Sequence, residues 1–281
     1  MGSEFIIEIP VEKYQPSDEK SKKRSEKKIE KNYAASGLKA LVVDDEPGQL
    51  SLTVELSRSM GFEIDTAANG KIALEKINGK EYDLILTDIQ MPVLDGFELI
   101  KTIRGTNEIM HLPVIALSGR TDLEKRVYMD AGFDEKLLKP YKSSTLKDTI
   151  AEVLDLEHKE TVSSNVQEGS KELQTGLYDL SEIYEFAGKD DHAFKEILRA
   201  FIEGTRESMV QLKSAWETQN EGELGKTAHR MLPMLRQMQA HTITPDLLKL
   251  EERKNINETE FLNLQEKLEK LLNDIAAKVK A

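Results

Sequence analysis

Apolar positions follow two different rules along this chain. Between Leu38 and about Leu156, short apolar runs alternate with stretches in which apolar residues recur every third or fourth position. Leu38-Lys39-Ala40-Leu41-Val42-Val43 reads as a strand, and Pro47 then opens a helix carrying Leu50, Leu52, Val54, Leu56 and Met60, stopped by Gly61. Phe62 to Ala67 reads as a second strand, and Asn69-Gly70 turns into a helix with Ala73, Leu74 and Ile77. Tyr82 to Leu86 is too apolar to alternate, which suits a strand covered on both faces; Met91-Pro92 ends that element. Asp95 starts a helix through Ile103, Leu112 to Leu117 gives a fourth strand, and Thr121 starts a helix closing at Gly132. Leu137-Leu138 forms a fifth strand, before a helix from about Ser143 to Leu156. Such strict alternation predicts an α/β domain: a five-stranded parallel sheet, doubly wound with helices on both faces and right-handed crossovers.

From Leu173 onward no strand pattern is found. Phe194, Ile197, Leu198, Phe201, Ile202, Met209, Leu212 and Trp216 make one long amphipathic stripe, and Leu224, Ala228, Met231, Leu235 and Met238 another. Leu247, Leu248 and Leu250 sit on a short helix; Phe261, Leu264, Leu268, Leu271, Ile275 and Val279 on the last. One apolar stripe per helix and short connections predict an all-α domain, an antiparallel four-helix bundle over 173–281. Residues 11–37 are polar and charged, and 157–172 lack periodicity, so both read as linkers around a domain at 38–156. In residues 1–10, Phe5, Ile7 and Ile9 alternate with Ile6, Glu8 and Pro10, as in a short strand cut off by proline; Gly2-Ser3-Glu4-Phe5 also suits a cloning scar.

Charge narrows the partners. The formal net charge is −12, which disfavours nucleic acid, since few phosphates would be neutralised. There is no cysteine, so disulfides and thiolate metal sites are excluded. No apolar run suggests a membrane span or a signal peptide, and a cytoplasmic fragment without membrane contact is expected.

Chemistry enters at the strand ends. Asp44 and Asp45 follow the first strand, Asp88 the third, Ser118 the fourth and Lys139 the fifth. In a parallel sheet these ends share one edge, where α/β folds bind ligands. Crowded carboxylates call for a cation, and hard oxygen donors without His or Cys suit Mg2+. A lysine can pair with a carboxylate and then a phosphate, and a serine hydroxyl can donate to a phosphoryl oxygen. The set suits phosphoryl transfer to a carboxylate. Each residue alone has a plainer reading: Asp44 and Asp45 as caps of the helix after Pro47, Ser118 as a turn residue, Lys139 as a surface lysine.

VVDDEP, LTDIQMPVLDG, ALSG and LLKPY, in this order and spacing, resemble a response-regulator receiver domain over about 38–156. The resemblance implies a flavodoxin-like fold and Asp88 as phosphoacceptor. Mg2+ would be held by Asp45 directly and Asp44 through water, with Asp88 and the main-chain carbonyl of Gln90. Ser118 and Lys139 would hold the phosphoryl group, and Lys139-Pro140 would be a cis peptide. Lys136 stands where the family often has Tyr or Phe, so a coupled aromatic switch is not expected. A hydrolase using an aspartyl phosphate is disfavoured, since Gln90 and not a second Asp stands two residues after Asp88.

Of five histidines only His229 lies mid-helix. It is turned away from Ala228, on a stripe with Gly225, Leu232 or Pro233, and Arg236 that is expected to be exposed, and Gly225 would leave room for a docking partner. Thr227-Ala228-His229-Arg230-Met231-Leu232 resembles the active helix of a histidine phosphotransfer domain. That family usually has Lys and Gly three and four residues after the His; here Leu232 and Pro233 stand there. Pro233 cannot donate to the His229 carbonyl and is expected to kink the helix; Arg230 or Arg236 would have to replace the lysine. The opening ten residues resemble the closing strand of a histidine-kinase ATP-binding domain. Together these features resemble the C-terminal part of a hybrid sensor histidine kinase, without its ATP-dependent core and from a parent anchored in a membrane. The expected function is a phosphorelay: a kinase dimerisation and phosphotransfer domain of the same full-length protein to Asp88, then His229, then a downstream response regulator. The alternative is a receiver with a degenerate bundle that serves as a docking or dimerisation scaffold.

Overall fold

The computed structural model describes residues 29–33, 35–162, 173–252 and 256–280. In chain order the N-terminal part contains β1 (Ile29–Tyr33), β2 (Lys39–Val43), α1 (Pro47–Ser59), β3 (Glu63–Ala67), α2 (Gly70–Ile77), β4 (Leu84–Asp88), α3 (Gly96–Arg104), β5 (Val114–Ser118), α4 (Lys125–Ala131), β6 (Glu135–Leu138), α5 (Ser143–Val153) and β7 (His158–Val162). Strands β2 to β6 form a parallel sheet in the order β3-β2-β4-β5-β6, the five-stranded doubly wound fold that the alternation predicts. Helix starts follow local chemistry. Asn69 caps α2 by accepting from the Ile72 amide, and Asp95 and Glu98 form a reciprocal capping box on α3. Glu46, not Asp44 or Asp45, caps α1. Helix α4 starts at Lys125 and not at Thr121: the Arg120 amide donates to Ser118 Oγ and its guanidinium grips Asp122, which ties this turn down outside the helix.

Two strands fall where the sequence reads as linkers. β1 and β7 pair antiparallel, Ile29 opposite Val162 and Tyr33 opposite His158. The expected strand in residues 1–10 lies outside the described residues.

The C-terminal region is helical: α6 (Ser181–Phe186), α7 (Asp191–Glu217), α8 (Glu221–Gln237), α9 (Thr244–Glu251) and α10 (Glu258–Lys280). α7 packs on α8 and α10, and α9 packs on both α8 and α10. Helix α8 runs through Pro233 as one continuous element.

The two faces of the sheet have different fates. Leu41, Val43, Ile85, Val114 and Ala116 pack under α2, α3 and α4 in a cluster of their own. Ala40, Val42, Leu84, Leu86, Ile115 and Leu117 pack under α1 and α5, and that cluster continues without a break into Phe186, Phe201, Leu235 and Leu264 of the helical region. The crossing of α1 and α7 is close. A methyl group added to Gly204 would lie 3.0 Å from Glu46 Oε1 and Pro47 Cδ, and one on Gly48 would lie 3.2 Å from the Phe201 Cα. Polar contacts cross the same seam. Gln237 Nε2 donates to the Tyr141 carbonyl (3.0 Å), and the Ser143 amide, at the start of α5, donates to Glu182 (2.8 Å). An orphan amide at the start of α5 is thus capped by a carboxylate of the helical region.

Candidate functional site

Strands β2, β4, β5 and β6 are neighbours, so their C-terminal ends bring Asp44, Asp88, Ser118 and Lys139 to one edge. The Lys139-Pro140 peptide is cis. Lys139 Nζ donates to Asp44 Oδ2 (2.7 Å) and Asp88 Oδ1 (2.6 Å), with all three side chains buried. Asp88 Oδ2 accepts from the Gln90 amide at 2.8 Å. Burial opposes a charged lysine, but Asp44 and Asp88 outweigh it and hold Lys139 above the usual lysine range. Burial, aided by Asp88 and Asp45, drives the Asp44 carboxyl up to about 8 against the pull of Lys139. Glu46, also buried, is pushed up to about 7 by burial, with its bonds to the Gln49 and Gly48 amides pulling the other way.

Ser118 is buried, and its hydroxyl pairs with the Tyr128 hydroxyl at 2.7 Å. The aromatic neighbour of this serine therefore comes from α4, and the Lys136 ammonium caps the same ring at 4.5 Å from its centroid. None of the motifs above includes Tyr128, which is buried on α4.

Asp45 stands apart from the lysine. Its side chain is only 8% exposed, burial raises its pKa, and its Oδ2 is buried without a hydrogen-bond partner, 3.7 Å from Arg230 Nη1. A buried carboxylate oxygen without a hydrogen bond, beside two further carboxylates, is the kind of donor a hard cation takes. Asp44 and Asp88 are turned to Lys139, and among the described residues no group of three His, Cys, Asp or Glu side chains converges in metal-holding geometry. The residue types fit Mg2+, with Asp45 the carboxylate not engaged by Lys139.

His229 reaches the same edge from α8. A methyl group built on Gly119 would sit 3.7 Å from His229 Cε1 and 3.9 Å from Nε2, so the ring lies against the residue after Ser118. Nδ1 pairs with Glu251 Oε1 of α9. The stripe expected to be exposed is not: Gly225, Leu232 and Pro233 are buried, and the His229 side chain is 23% exposed. The receiver side of the molecule and α9 cover it. The room left by Gly225 is used by the chain itself, since a methyl there would lie 3.4 Å from the Leu250 and Glu251 carbonyls. Arg236 makes none of the contacts that Arg230 makes with the acids.

A family model described as "Response regulator receiver domain" matches residues 40–151. Those residues form a receiver domain. The chain is 41% identical over 107 residues to the gliding motility regulatory protein of Myxococcus xanthus, covering 38% of this chain and 14% of that protein. It is 31% identical over 160 residues to the sensor protein EvgS of Escherichia coli O157:H7, covering 56% of this chain and 13% of that protein. The chain thus matches only a minor part of these relatives' lengths. Among solved structures it is similar to the receiver domain of the sensor histidine kinase PA1611 from Pseudomonas aeruginosa PAO1, at 29% identity, 43% of this chain, 99% of that one and a TM-score of 0.40; that structure has a magnesium ion in its active-site cleft. The receiver domain has homologues in sensor kinases, and among the described residues no helix is long and apolar enough to cross a membrane.

Proposed function

We propose that this chain is a cytoplasmic two-step phosphoryl carrier, in which the receiver domain takes a phosphoryl group on Asp88 and the helical region, a four-helix phosphotransfer bundle, takes it on His229. The observation that carries this reading is the placement of the His229 ring against Gly119, at the rim of the pocket that holds Asp88 and Ser118. Because Glu251 engages Nδ1, Nε2 is the nitrogen left to react.

A carboxylate oxygen of Asp88 attacks the phosphorus of a kinase phosphohistidine; the P–N bond breaks and its electron pair returns to the donor imidazole. Nε2 of His229 then attacks the same phosphorus, the P–O bond breaks and the Asp88 carboxylate is restored. Lys139 moves from its two carboxylates toward the phosphoryl oxygens, and Ser118 turns its hydroxyl from Tyr128 to the same group. When bound by Asp45, Asp44, Asp88 and the Gln90 carbonyl, Mg2+ would neutralise phosphoryl oxygens. From His229 the group would pass to a separate response regulator.

The test is transfer of label from a small phosphodonor with Mg2+. Wild type should carry acid-labile phosphate on His229 after Asp88, Asp88→Asn should carry none, and His229→Gln should stop at Asp88. A second reading rests on Pro233, which leaves the His229 carbonyl without its helical donor. The bundle would then only dock or dimerise, and label would stay on Asp88 in wild type as in His229→Gln.

A further inference from the structure

Arg230 enters the receiver's acid pocket from the opposite domain. Its Nη1 lies 3.7 Å from Asp45 Oδ2, its Nη2 is braced by Gln211, and its Nε is buried without a hydrogen-bond partner. Asp45 Oδ2 is likewise buried without a hydrogen-bond partner. At that separation the two groups attract as charges without closing a hydrogen bond. A guanidinium held in this way has fork geometry to spare for an anion with several oxygens.

Charge counting says which anion. Counted with all three acids ionised, as binding of a divalent ion requires, Asp44, Asp45 and Asp88 against Lys139 and Arg230 carry one surplus negative charge. A divalent ion alone would turn that into a surplus positive charge next to a guanidinium. An acyl phosphate replaces one negative charge by roughly two. With the divalent ion and the phosphoryl group both present, the pocket is neutral only if Arg230 is included.

We infer that Arg230 is a tethered counter-cation shared between the domains: it competes with a divalent ion for Asp45 while Asp88 is bare, and it clamps the phosphoryl group once Asp88 carries one. This inference rests on the phosphoryl-carrier reading for its second half only. The first half concerns Asp45 and a cation, and it stands or falls without any transfer.

Titration of the full, unphosphorylated chain with magnesium chloride tests the first half. Removing the competing charge in Arg230→Gln should tighten Mg2+ binding about three- to tenfold, while Arg230→Lys should stay near wild type. Unchanged Mg2+ affinity in Arg230→Gln overturns the inference, whatever the relay does. Acetyl phosphate with Mg2+ tests the second half by the rate at which label appears on His229. Arg230→Gln should slow it at least about tenfold and Arg230→Lys should recover most of the loss. Equal rates in wild type and Arg230→Gln overturn the clamp. Absence of label on His229 in wild type itself counts against the phosphoryl-carrier reading, and the Mg2+ titration still judges Arg230.

Discussion

Asp88 and His229 occupy unlike surroundings. Asp88 is at the end of a strand buried on both faces, and its carboxylate oxygens are held by Lys139 and the Gln90 amide. His229 is in the middle of a helix, partly open to solvent, with one carboxylate on its far nitrogen. The pocket is built from charges that burial makes costly, so its members depend on one another. The histidine is held by a helix face and one orienting contact, so loss of that contact should harm the fold little. Removing Lys139 should therefore be the most damaging single change. Lys139→Ala leaves Asp44 and Asp88 buried and unpaired, and an unfolding free energy lower by about 3 kcal/mol is expected in chelator. Thermal unfolding with and without Mg2+ measures it, and added Mg2+ should restore part of the loss. An unchanged melting point would show that the two carboxyls do not depend on the lysine.

The seam between α1 and α7 gives the next effect. Gly204 is in the interior of α7, where a glycine weakens a helix, and its place is explained by the 3.0 Å approach to Glu46 and Pro47. Gly204→Leu should force α7 off α1, cost about 1–3 kcal/mol and expose the His229 ring. Faster acylation of His229 by diethyl pyrocarbonate is the readout. An unchanged rate would mean that the ring is shielded by α9 alone.

Protonation distinguishes pocket from helix by sign. The Asp44, Asp45 and Glu46 carboxyls are all raised in the folded protein. Between about pH 5 and 8 the folded state then binds more protons than the unfolded chain, so stability should fall as pH rises through this window. This is opposite to the usual carboxylate behaviour. Glu46→Gln should flatten the curve in its upper part, near the value of about 7 to which Glu46 is pushed. Chemical denaturation at pH 5, 6, 7 and 8 in chelator would show it, and a rising curve would refute the burial argument.

How far these features were legible in the sequence follows the same division. The parallel sheet and its strand-end acids could be read because period, strand ends and residue type agree: Leu84-Ile85-Leu86 needs two covers, and Asp88 follows at once. The pairing of Lys139 with Asp44 and Asp88 followed from topology. The exposed stripe on α8 could not be read correctly, because its cover is another domain, and one helix's period does not say which of its faces meets a neighbour. The same holds for β1 and β7, whose pairing joins two segments that look like linkers one at a time. Gly204 in the middle of an apolar stripe was the available signal of a close crossing. Nothing local marked Tyr128 as the partner of Ser118.

Glu251→Gln is the smallest of these changes and the sharpest test of the contrast. The His229–Glu251 pair is partly exposed, 23% and 28% for the two side chains, so its loss should lower stability by less than about 1 kcal/mol. Its consequence should appear in the chemistry. Glu251 holds Nδ1, which turns Nε2 toward Gly119 and the acid pocket. A glutamine keeps an oxygen to accept from Nδ1 but loses the charge that favours a cationic ring as the phosphoryl group departs or arrives. Transfer from Asp88 to His229 should slow by about tenfold, with label on Asp88 unaffected. Glu251→Ala, which removes orientation as well as charge, should slow it further. Equal rates for wild type, glutamine and alanine would mean that the ring is set by packing against Gly119 alone, and the histidine would then resemble the pocket in being fixed by burial.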